Sequence, residues 1–150
     1  MTTSTVLLGD NYLLWIAVNS GTPTYAVING QGTATINRLQ TEIDTSSKSS
    51  AGYATSAYGL RKANIDLDIL PTLPDTGGYT EFETLCAAQP AAPFLVQIRR
   101  NGASGADPAD TVFAALMYGS IQSTAFTQND KVSVKAQLAL AAAPTVDALK

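Results

Sequence analysis

Two carboxylates have the spacing for chemistry: Asp66 and Asp68 in the run Arg61-Lys62-Ala63-Asn64-Ile65-Asp66-Leu67-Asp68-Ile69-Leu70. On a strand, side chains two apart leave the same face, and two such carboxylates can hold a divalent cation. The surrounding alternation favours a plainer role. Ala63, Ile65, Leu67 and Ile69 fall on one side, and Lys62, Asn64, Asp66 and Asp68 on the other, the pattern of a half-buried strand with one wet face. A second candidate is Lys48 among Ser46, Ser47, Ser49 and Ser50, the residue types of a Ser–Lys nucleophile pair. No apolar neighbour is present to desolvate that lysine and lower its pKa. Gly30 and Gly32 extend to neither a dinucleotide fingerprint nor a phosphate loop. The basic pairs Arg61-Lys62 and Arg99-Arg100 are isolated and suit sheet ends or subunit contacts better than a phosphate clamp. Cys86 reads as a small core hydrophobe.

The missing residue types narrow the function further. With no histidine, the commonest general base and zinc ligand is absent. One cysteine forms no intrachain disulfide and no metal cluster. A net charge of -3 opposes wrapping of nucleic acid through its phosphates. The opening Met1-Thr2-Thr3-Ser4-Thr5 lacks the basic region of a signal peptide. No apolar run reaches the ~20 residues of a membrane helix. The expectation is a soluble, cytoplasmic, non-enzymatic domain with no catalytic residue, metal or cofactor.

The elements that must position these residues are mostly strands. Breakers bound strands at Tyr12 to Asn19 and Tyr25 to Asn29, and a third runs through Ala34, Ile36 and Gln40. The Arg61 to Leu70 strand follows, then Phe94 to Arg100, Thr111 to Ser123 and Val132 to Leu140, with Gly119 as a bulge or close-approach site. Thr80 three residues before Glu83 has capping-box spacing and predicts a short helix from Thr80 to Gln89, stopped by Pro90. Asp44 to Ser56 has little apolar surface to offset its ordering and reads as a long mobile loop. Ala141 to Lys150 reads as a loose arm. Tyr53, Tyr58 and Tyr79 are candidate anchors between subunits. One domain over residues 1–150, mainly β, follows: a β-sandwich or small barrel with one covering helix.

The runs Gly30-Gln31-Gly32-Thr33-Ala34-Thr35-Ile36-Asn37, Glu42-Ile43-Asp44-Thr45-Ser46-Ser47-Lys48-Ser49-Ser50-Ala51-Gly52-Tyr53 and Gly59-Leu60-Arg61-Lys62-Ala63-Asn64-Ile65-Asp66-Leu67-Asp68 carry a family resemblance. The chain resembles the major tail tube proteins of long-tailed, non-contractile bacteriophages of the TP901-1 type, a family shared with gene transfer agents. That resemblance implies the phage tail tube fold, two packed sheets flanked by one α-helix. It implies hexameric rings stacked into a hollow tube that conducts DNA during ejection without binding it specifically. Implied partners are copies of the chain, a tape measure protein, and tail terminator and distal tail proteins; no membrane is involved. The implied location is the virion tail, assembled in the host bacterial cytoplasm. Residues 44–58 become the intersubunit loop, with Asp44, Thr45, Ser46, Ser47, Lys48, Tyr53 and Tyr58 as contact residues. Ala34 to Glu42 and Arg61 to Leu70 become lumen-side strands, with Asn64, Asp66 and Asp68 facing the channel. The alternatives are another virion component, such as a tail terminator or capsid decoration protein, or a β-sandwich binding module.

Overall fold

The computed structural model describes residues 5–149 and all their side chains except that of Ser50. Met1 to Ser4, where the leader reading begins, and Lys150, at the end of the expected arm, lie outside the described residues. The strands are β1 (Leu13–Ala17), β2 (Ala26–Val27), β3 (Gln31–Asp44), β4 (Ser56–Ile69), β5 (Phe94–Arg99), β6 (Thr111–Ala125), β7 (Ser133–Leu140) and β8 (Val146–Asp147). The helix α1 is Tyr79–Cys86. All strand pairs are antiparallel, in the order β2-β1-β5-β6-β7-β4-β3 with β8 beside β6.

The long β6 belongs to both layers of the molecule. Its first half pairs with β5 and β8, and from Met117 onward it pairs with β7. The sheet therefore doubles over into two packed antiparallel layers with one flanking helix, as expected. The layers meet through alternate residues of each strand. Leu14, Ile16, Ile65, Leu67, Ile69, Phe94, Val96, Phe113, Met117, Val134 and Leu138 are each at most 1% exposed. Burying each such side chain contributes about 1.5–3 kcal/mol. The alternation read in 61–70 holds, with Ala63, Ile65, Leu67 and Ile69 buried and Asp66 and Asp68 exposed.

The two ends of the sheet are joined by one side chain. Gln31, opening β3, accepts the Leu14 N–H at 2.8 Å and donates to the carbonyls of Leu14 at 3.1 Å and Ile28 at 2.9 Å. Its amide stands in for a missing strand pair between β1 and β3. Replacing Gln31 with alanine leaves these part-buried groups unpaired, and urea unfolding is expected to show a loss of about 1–3 kcal/mol. At the far end, Arg38 of β3 pairs with Asp147 of β8 at 2.5 Å and ties one layer to the other.

Three local expectations are corrected. The Thr80–Glu83 capping box does not form, because Thr80 lies inside α1 and the helix spans Tyr79–Cys86. Asp75 caps it instead: its carboxylate accepts from the Tyr79 N–H at 2.8 Å while also holding the Asn29 N–H and amide at 3.1 Å each. Gly78 permits this approach, since a Cβ there would stand 2.4 Å from the Asp75 carboxylate. The C-terminal arm is not loose. Ala141, Thr145 and Ala148 donate backbone hydrogen bonds to Leu116, Ala114 and Val112 at 2.8, 2.8 and 2.9 Å, so the arm extends the β7 line along β6. The long loop is shorter than read, because Asp44 pairs with Ser56, Ile43 with Ala57 and Glu42 with Tyr58. Gly119 is a close-approach site, with Cys86 Sγ and the Phe94 ring both 2.7 Å from where a Cβ would sit.

Candidate functional site

β4 pairs with β7 only over Asn64–Ile69. From Ser56 to Ala63 its one strand partner is β3, and beyond the Arg38–Asp147 contact the two strands leave the body as a free ribbon. The ribbon exposes Leu39, Ile43, Tyr58 and Leu60, and Leu60 is 86% exposed. An isolated two-stranded ribbon is marginal in water, and a cluster of exposed large apolar side chains marks an interaction surface.

The residues expected to make intersubunit contacts divide between ribbon and tip. Asp44 and Tyr58 are strand residues, and Thr45, Ser46, Ser47, Lys48 and Tyr53 lie in the connecting segment 45–55. Hydrogen bonds close the neck of that segment. The Thr45 N–H donates to the Thr55 carbonyl at 3.0 Å, and the Thr55 N–H to Ser46 Oγ at 2.8 Å. The Ser46 N–H donates to Asp44 at 2.9 Å and, with the Ser46 side chain, holds the Asp44 carboxyl below its ordinary pKa. Beyond the neck, Ala51 and Gly52 take left-handed φ values of 53° and 84°, a tight turn leading into Tyr53. Tyr53 is 77% exposed.

The second surface is the sheet face opposite the core. Asp66 and Asp68 are exposed there and Asn64 is half-buried. The register sets Thr35 and Gln137 beside Asp66, Lys135 beside Asp68, and Asn37 and Ala139 beside Asn64. Ser120 continues the row next to Gln137. Asn37 donates to Asp66 at 2.7 Å. The result is a polar band over β3, β4, β7 and β6 with mixed charge. Sequence reasoning missed Asn37, Gln137 and Ser120, which only cross-strand register brings to Asp66. Among the described residues no group of three or more His, Cys, Asp or Glu is placed to hold a metal ion. No helix there is long and apolar enough to cross a membrane.

Arg99 and Arg100 serve internal roles. Arg99 is 7% exposed and lies 4.5 Å from the Trp15 ring and 5.1 Å from the Tyr25 ring, with Gln97 accepting from it at 2.8 Å. Arg100 donates to Asp110 at 2.9 Å, and Asn101 and the Ala106 N–H reach the same carboxylate at 2.8 and 2.9 Å. The Ala106 N–H above all, then Arg100 and Asn101, lowers the Asp110 pKa to about 2. A depressed carboxyl stabilises the fold above its unfolded pKa, and that stability is lost as pH falls through the folded value. Acid unfolding should therefore steepen between about pH 4, the unfolded value, and about pH 2. In an Asp110→Asn variant, thermal melts across that window should flatten. Cys86 is half-buried, and burial followed by Glu83 pushes its thiol up to about 12, so it is a poor nucleophile at neutral pH.

No protein-family model matches the chain, and no curated protein matches it. Solved structures do. A chain in the tail of an empty gene transfer agent particle, determined with C6 symmetry, superposes with a TM-score of 0.72 at 16% identity, covering 95% of this chain and 100% of that one. The SPP1 tail tube protein superposes at 0.68 with 9% identity, covering 96% and 81%. A chain of the anti-feeding prophage baseplate superposes at 0.61 with 10% identity, covering 98% and 100%. At these identities the likeness establishes the fold, and the chain has the architecture shared by phage and gene transfer agent tail proteins.

Proposed function

We propose that the chain is a structural subunit of a viral-type tail tube, six copies closing a ring and rings stacking into a hollow conduit for DNA. The observation that carries this reading is the ribbon: a two-layer domain that already buries its own core still projects apolar side chains that only another molecule can cover. The free edge of β3 supports it, because an unpaired edge strand invites a neighbour's strand. The C6 symmetry of the gene transfer agent tail that shares this fold supports a ring of six. On this reading the polar band with Asn64, Asp66 and Asp68 lines the channel. Its carboxylates keep DNA, with one negative charge per ~1.7 Å of axis, from adhering to the wall. A tape measure protein would fill the lumen during assembly, and terminator and distal tail proteins would close the ends, in a virion tail built in the bacterial cytoplasm.

Negative-stain imaging of the purified chain tests the proposal. Rings or hollow tubes are expected; compact monomers at high concentration overturn it. Asp66→Lys with Asp68→Lys is expected to leave assembly intact and slow DNA exit several-fold, measured as ejection kinetics of particles carrying the variant. Unchanged kinetics would remove this band from the channel wall. The likeness to a baseplate chain favours a second reading, a ring component at a tail end. Single rings that never lengthen would support that role.

A further inference from the structure

We propose that the fork where β4 and the C-terminal arm diverge is a binding site for an acidic, extended segment of a partner protein, which adds as a strand to the open edge of β4. The inference goes beyond the tail tube reading and does not depend on it, because every part of the site lies within one chain.

The fork follows from strand pairing. β7 runs beside β4 from the Ile69–Val134 pair to the Asn64–Ala139 pair and no further. Past Leu140 the chain swings away, since the Ala141 N–H donates to the Leu116 carbonyl of β6 at 2.8 Å. β4 continues through Ala63, Lys62 and Arg61 with β3 on its other side only. A cleft of ≈ 780 Å³ opens between the two, reaching from Arg61, Lys62 and Ala63 to Ala142, Ala143 and Pro144. Alternate N–H and C=O groups of an antiparallel strand point away from its partner. This stretch of β4 therefore offers the unpaired backbone to which an extended peptide adds, beside a wall of small side chains that leaves room for it.

Charge selects the occupant. The cleft gathers Arg38, Arg61 and Lys62, three of the chain's nine basic residues, against one acid, Asp147. Asp147 is already taken up by Arg38. Arg61 and Lys62 are exposed, and among the described residues neither has an ion-pair partner. As neighbours on a strand they leave opposite faces, so they flank an added strand on both sides instead of converging on a single anion. Two adjacent acidic residues on that strand would meet one cation each, as opposite charges do across a strand pair. Leu60, next along the edge, is 86% exposed and calls for an apolar residue beyond the acidic pair. A second copy does not supply such a segment, because the chain contains no two adjacent acidic residues. The occupant is another protein.

Fluorescence anisotropy of a labelled peptide, Val-Thr-Glu-Glu-Thr-Val, titrated with the full chain tests the site. Saturable binding is expected, weakening as added salt screens the charges. Arg61→Glu with Lys62→Glu should weaken it about tenfold, the order of effect of breaking close charge pairs. Ala142→Trp, which fills the cleft from an exposed position without changing its charge, should weaken it as well. Both variants should keep the parent circular dichroism spectrum, since neither touches a buried side chain. The same peptide N-methylated on alternate amides, in either register, keeps its carboxylates but loses backbone bonds, and at least one register should fail to bind. Duplex DNA should not compete with the peptide. Four results overturn the proposal: no binding by the parent chain, equal binding by the charge-reversed chain, equal binding of both methylated peptides, or displacement of the peptide by DNA. None of them bears on the tube reading, which imaging decides separately.

Discussion

Replacing residues 45–55 with Asn-Gly is expected to leave a folded subunit that no longer forms tubes. Asp44 and Ser56 already face each other across the ribbon, and Asn-Gly is the two-residue turn that closes such a pair with matching twist. The deleted segment makes hydrogen bonds at its own neck, between Asp44 and Thr55, and none of its described side chains belongs to the buried core. The thermal midpoint should move by only a few degrees, since surface changes away from the core typically fall within about 0.5 kcal/mol. Assembly should fall below detection in sedimentation velocity at concentrations where the parent chain is fully polymerised. Full polymerisation of the variant would show that the tip makes no contact between copies.

Phe82→Ala has the largest expected effect on stability. Phe82 is fully buried in α1, with its ring edge-on to Phe94 at 6.1 Å between centroids. Phe94 in turn fills the space left by the missing side chain of Gly119. The substitution opens a cavity where helix and sheet meet, and a buried phenylalanine truncation costs about 3–5 kcal/mol. That is a large share of the 5–15 kcal/mol typical of a whole domain. An eight-residue helix has no stability of its own to hold it in place, so α1 should detach before the sheet melts. Urea unfolding followed by far-ultraviolet circular dichroism, with backbone exchange in residues 79–86, measures both effects. A loss under 1 kcal/mol would mean that the helix is not docked through Phe82.

Much of the sheet was legible because its strands carry their burial in side-chain order. The alternation from Lys62 to Ile69 fixes both the strand and its wet face. Thr111, Val112 and Phe113 mark the start of β6 despite the helix-forming residues that follow. The ribbon is underestimated from sequence because Glu42 to Asp44 and Ser56 to Tyr58 pair across it while every side chain there stays exposed, which leaves no apolar alternation to read. The arm was misread for the same reason: Ala141 and Ala148 are tied through main-chain N–H groups, which leave no trace in side-chain pattern. Only the fold brings Asp75 to both Asn29 and the start of α1.

The candidate surfaces follow the same division. Lys48 and Tyr53 stand out locally, as a charge and a ring in a stretch of small residues. The polar band is half legible, with Asp66 and Asp68 named by periodicity and Asn37 and Gln137 placed beside them only by register.

The free edge of β3 offers the most direct test of whether copies complete one another's sheets. In an antiparallel edge strand, alternate amides point away from the partner strand and exchange with solvent freely. Amide hydrogen exchange of residues 33–44 should therefore be compared between dissociated subunits and assembled particles. The expected result is that the outward amides, fast in the subunit, become strongly protected on assembly while those bonded to β4 change little. Equal exchange in both states, or a chain that stays dissociated at high concentration, would contradict a wall built from shared sheets.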